Sequence, residues 1–72
     1  MQGDEWGPVT MKVRDVIKLL EKRGWVLVRM RGSHCQYGHP TRSGRVTIAG
    51  KPGDDVPAGT LRSIFRQAGI LQ

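Results

Sequence analysis

Two segments, one near each end of the chain, repeat apolar residues at helical spacing, and the residues between them must give both stripes a surface to cover. Val13, Val16, Ile17 and Leu20 fall at i, i+3, i+4 and i+7, and Leu61, Ile64, Phe65 and Ala68 repeat that spacing. The first pattern predicts a helix over 11–23, with charged side chains on its other faces. Thr10 is its candidate N-cap, and Gly24 stands where a helix ends. Pro57 suits the first turn of the second helix, and Gly69 closes it. A chain of 72 residues hides only about 60% of its unfolded surface on folding, so the core must be economical and any site superficial.

Between the stripes the period changes. Residues 25–31 (WVLVRMR) are rich in β-formers, Gly32-Ser33 can close a tight hairpin of type II′, and 34–39 (HCQYGH) form the return strand. After a loop over 40–44, residues 45–49 (RVTIA) alternate as a third strand, and 50–56 form a second loop. The expected fold is α+β, in the order α-β-β-β-α, with a three-stranded antiparallel sheet and both helices on one face. Residues 1–10 show no periodicity and read as a flexible N-terminal extension to a domain over 11–72.

If Gly32-Ser33 is the whole turn, Arg31 lies opposite His34, Met30 opposite Cys35, Arg29 opposite Gln36, Val28 opposite Tyr37 and Val26 opposite His39. Strand side chains alternate between faces. One face then carries Val26, Val28, Met30, Cys35 and Tyr37 and meets the helices. The other carries Arg29, Arg31, His34 and Gln36 and stays open, with Arg45 and Thr47 of the third strand beside them. Cross-strand neighbours lie about 5 Å apart and diagonal ones about 7–8 Å. Both guanidinium groups can therefore reach a phosphate held near His34.

The charge agrees with an anionic partner. Twelve Lys plus Arg against six Asp plus Glu give a formal net charge of +6, and arginine outnumbers lysine eight to four. Arginine binds phosphate through a planar, bidentate fork. No apolar run approaches the roughly 20 residues of a membrane span, so no membrane is expected as a partner. The lone cysteine, Cys35, cannot form an internal disulfide, which fits a reducing cytoplasm. His34, Cys35 and His39 alternate faces and lack a fourth ligand, so no metal site is expected, and no cofactor is called for. The residues alone leave three functions open: a ribonuclease using His34, a non-catalytic RNA-binding module, and a protein-interaction domain whose basic face serves an acidic partner.

The segments RGSHCQYGHP, GRVTIAG and VPAGTLRSIFRQAGI resemble, in order and spacing, the HicA (YcfA-like) family of toxins. The likeness spans about residues 11–72. It implies a double-stranded-RNA-binding-like fold and an mRNA-cleaving activity restrained by a HicB-type antitoxin protein. It also implies a catalytic histidine directly after the Gly-Ser pair, here His34. Many members carry a second histidine next, where this chain has Cys35. On that reading His34 is the general base, and Arg29, Arg31, Ser33, Gln36 and Arg45 are the RNA- and phosphate-binding candidates.

Overall fold

The computed structural model describes residues 10–70. The expected flexible extension therefore falls almost entirely outside the described residues. The elements are β1 (Met11–Lys12), α1 (Val13–Lys22), β2 (Val26–Arg31), β3 (His34–Gly38), β4 (Val46–Ala49), β5 (Asp55–Val56) and α2 (Ala58–Gln67). Strands β2, β3 and β4 form the expected antiparallel sheet, in that order. The predicted α-β-β-β-α order stands. A small second sheet is added, in which β1 pairs with β5 through Met11–Val56 and Lys12–Asp55.

That addition moves the start of the first helix. Thr10 is not its cap. Lys12 occupies the N-cap position in an extended conformation and supplies no side-chain capping bond. The first-turn N–H groups donate instead to the 50–54 loop, Val13 to the Asp54 carbonyl (2.9 Å) and Arg14 to the Pro52 carbonyl (3.1 Å). Helix starts leave such donors without intrahelical partners, and here backbone carbonyls satisfy them. The loop is held in shape by Asp54, whose Oδ2 accepts the Lys51 N–H at 2.9 Å.

Both helices end alike. The Gly24 N–H donates to Glu21 and the Trp25 N–H to Leu20, while the Gly69 N–H donates to Arg66 and the Ile70 N–H to Phe65. This is the Schellman arrangement, with a left-handed glycine at the turn. Gly24 has φ +93°, and a Cβ there would stand 2.8 Å from His39 Nε2. Two separate reasons thus restrict the position to glycine.

The core joins Val13, Val16 and Leu20 of α1 and Leu61, Ile64 and Phe65 of α2 to Tyr37, Val46 and Ile48 of the sheet, with Trp25, Val56 and Ala68 completing it. Truncating one of the fully buried members, such as Leu20, costs about 2–5 kcal/mol. Burial pushes the Tyr37 hydroxyl above its ordinary range, with smaller contributions from Cys35 and Glu21.

The sheet departs from the expected pattern at β2. Near the turn the predicted register holds, with Arg31 opposite His34, Met30 opposite Cys35 and Arg29 opposite Gln36. The register then shifts between Leu27 and Arg29, so that Leu27, not Val28, faces Tyr37, and Val26 faces Gly38 rather than His39. Val28 is the extra residue of a β-bulge. One inserted residue reverses the parity of everything before it. Val26 and Val28 therefore leave the helix-facing side on which alternation places them. They are 55% and 45% exposed, and Leu27 and Met30 are 47% and 61% exposed. The physical reason is reach: two ten-residue helices cover β3 and β4 and stop short of the edge.

Candidate RNA-binding face and the His34 site

The hairpin places His34 as the first residue of β3, immediately after Gly32-Ser33. Gly32 has φ +55°, and no non-glycine residue described has positive φ. That combination suits the type II′ turn the sequence predicts. With no intervening loop, the turn fixes which side chains stand across from His34.

Arg29, Arg31, His34, Gln36 and Thr47 line one open concavity of about 310 Å³. Four of the expected site residues thus converge. Thr47 joins them because β4 pairs it with Gln36. The outward parity of RVTIA already placed it on this face, although a threonine carries little chemical signal of its own. The His34 ring is exposed and has no hydrogen-bond partner among the described residues. Both ring nitrogens are open to a ligand. The concavity thus offers two fixed cations, one proton acceptor, and an amide and a hydroxyl for hydrogen bonding. This set suits a phosphodiester and an adjacent hydroxyl.

Two other candidates are placed elsewhere. Ser33 lines a different concavity, on the helix side, with Met30, Cys35 and Tyr37. Its backbone carbonyl is fastened by the Gly50 N–H at 3.0 Å. That backbone bond ties the turn to the loop after β4. Arg45 precedes β4 and leans over Gly38, at the end of the sheet away from His34. A Cβ on Gly38 would lie 3.6 Å from Arg45 Nε.

His39 is the counterpart of His34 in every respect. It lies just past β3, half-buried, with its ring edge-on to Trp25 at a centroid distance of 5.1 Å. Its Nδ1 accepts the Thr41 N–H at 3.1 Å. A backbone N–H can only donate, so Nδ1 carries no proton. Nε2 therefore carries it and donates to the Arg23 carbonyl at 2.9 Å. Both nitrogens are engaged, and the ring joins the end of β3 to the end of α1.

Among the described residues, no helix is long and apolar enough to cross a membrane, and no group of three or more His, Cys, Asp or Glu side chains is arranged to hold a metal ion. No curated protein matches the chain. Residues 13–70 match the family described as the HicA toxin of bacterial toxin-antitoxin systems. That match covers most of the chain and contains the His34 concavity whole, and the chain belongs to the HicA toxin family.

Proposed function

We propose that this HicA-family toxin is a metal-independent endoribonuclease that cleaves mRNA with His34 as general base. The observation that supports it most is the convergence of His34, Arg29, Arg31 and Gln36 in one open concavity. RNA carries its own nucleophile. The His34 imidazole takes the proton of a 2′-hydroxyl, the 2′-oxygen attacks the neighbouring phosphorus, and the bond to the 5′-oxygen breaks. The 5′-oxygen then takes a proton from solvent. The products are a 2′,3′-cyclic phosphate and a 5′-hydroxyl end. Arg29 and Arg31 hold the phosphate and stabilise the charge that develops on its oxygens, and Gln36 hydrogen-bonds the bound strand. General base catalysis contributes about 10²–10⁴-fold, and fixed cations at the developing charge add to it.

The toxin acts with an antitoxin partner, and we assign that partner to the HicB type. A charge of +6, displayed in part on an open face, favours a partner that covers Arg29, Arg31 and His34 with acidic or bulky groups. Cleavage of mRNA places the protein in the cytoplasm. The test is incubation of the protein and its His34→Ala variant with a defined single-stranded RNA in excess chelator, followed by analysis of the product ends. Cutting by the wild type alone, with cyclic phosphate ends, supports the reading. Ends bearing 3′-hydroxyl and 5′-phosphate, or activity abolished by chelator, would overturn it. Salt-sensitive binding of RNA that stays intact would replace it with a non-catalytic RNA-binding module.

A further inference from the structure

The open face does not end at the His34 concavity. At the other end of β3 a second, wider concavity of about 670 Å³ is lined chiefly by Val26, Val28, Gly38, Pro40, Arg42 and Arg45. Val26 pairs with Gly38, and Gly38 shares the parity of Gln36 and His34, so this floor continues the same surface. Four residues along β3 separate the two places, about 13 Å at the usual rise of a strand. A short stretch of extended single-stranded RNA bridges that span.

The two concavities differ in chemistry. The first is lined by polar and cationic side chains. The second pairs two half-exposed valines with a guanidinium across a residue that has no side chain. Val28 Cγ1 and Arg45 Nε approach Gly38 from either side, 3.2 and 3.6 Å from where a Cβ would stand. Arg42 lines the concavity with its guanidinium packed over Gly69, past the end of α2, and Arg45 is the cation beside Gly38 on the floor. His39 borders it with both ring nitrogens engaged, so the place binds and does not react. A bare phosphate has no use for exposed valines. A nucleobase, with apolar faces and a π-system that stacks on guanidinium, uses all of these groups.

We propose that this second concavity is a nucleobase subsite, taking one unpaired base of the RNA strand whose scissile phosphate lies beside His34. The inference rests on the reading of the open face as the RNA site. The bulge at Val28 builds it, because without the extra residue Val26 would turn to the other side of the sheet. A base inside a duplex is stacked and paired and cannot enter, so the subsite selects single strands.

The test uses the full chain carrying His34→Ala, to keep the RNA intact, and a single-stranded RNA with one cleavage site. An abasic nucleotide is placed at each position in turn, and affinity is measured at fixed salt. One position near the cleavage site should weaken binding roughly tenfold, the scale of one base's stacking on a protein surface. That penalty should vanish when Arg45→Ala is added and shrink with Val28→Ala, with thermal melting confirming that both variants fold. If Arg45→Ala weakens every RNA equally and the abasic penalty survives, Arg45 is only a phosphate contact and the subsite is overturned. Insensitivity to every abasic position also overturns it and leaves this surface to a protein partner. Absence of binding to any RNA, together with absence of cleavage by the wild type, fails the RNA reading itself and the subsite with it.

Discussion

The two ends of β3 carry one histidine each and use it in opposite ways. At the turn end, His34 is exposed, unpartnered among the described residues and flanked by two arginines. At the far end, His39 has both nitrogens bonded and its ring against Trp25. One ring has both nitrogens open to a ligand. The other is locked as one tautomer by a backbone donor and a backbone acceptor. Residue type carries no information about which is which; the bonds of the ring do.

The strongest way to break this contrast is His34→Ala. Cleavage should fall by about 10²–10⁴-fold, while the melting temperature stays within about 1 °C, because no bond to His34 holds the fold. A comparable fall in stability would make His34 structural and end the comparison. Next in size are Arg29→Ala and Arg31→Ala, each expected to slow cleavage by about 10²-fold, as for loss of one group that stabilises developing charge. Each should also lower the salt slope of RNA binding by roughly one, which affinity measured across a salt series reads directly. His39→Ala should do the reverse. Losing the bond to the Arg23 carbonyl at the end of α1 and the local bond from the Thr41 N–H should cost about 1–2 kcal/mol, a melting temperature lower by roughly 4–16 °C in a domain this small. Cleavage by the fraction that remains folded should fall far less than in His34→Ala.

Gly24 sharpens the same comparison. Gly24→Ala is strained by its positive φ and presses its methyl group on the His39 ring. Its cost should therefore be smaller in a His39→Ala background than alone, and a double-mutant cycle on thermal stability measures the difference. The smallest effect concerns Tyr37. Its raised pKa means that the unfolded chain releases the phenolic proton first as pH rises. Its contribution is intact below pH of about 10 and is lost above it. Stability measured along an alkaline series should fall more steeply for the wild type than for Tyr37→Phe.

Much of the site was legible because tight turns leave little freedom. A two-residue hairpin loop fixes its own register, so Arg31, His34, Arg29 and Gln36 could be placed across from one another before any coordinates. The far half of β2 was not legible in the same way. Val26, Leu27 and Val28 are three apolar residues in a row, so alternation fits either parity there and cannot reveal an inserted residue. The start of α1 was obscured for a different reason. Thr10 looks like a cap, but the carbonyls that satisfy the helix come from a loop about 40 residues further along the chain, a distance that local sequence rules do not cover. Arg45 was correctly placed on the open face, yet face alone does not say which end of the sheet a long side chain serves.

The free edge of β2 has a consequence for how the protein behaves at concentration. Among the described residues it pairs on one side only, with β3, so its outer backbone groups offer a template on which another strand can grow. Its exposed apolar side chains add to that hazard. Two devices restrain it: the bulge at Val28, which spoils a straight ladder, and the alternating charges of Arg29 and Arg31, which repel a second copy laid alongside. The arginines proposed to grip phosphate are thus also the guards against self-association. Neutralising them weakens the grip and removes the guards together, and solubility should decline alongside catalysis in those variants.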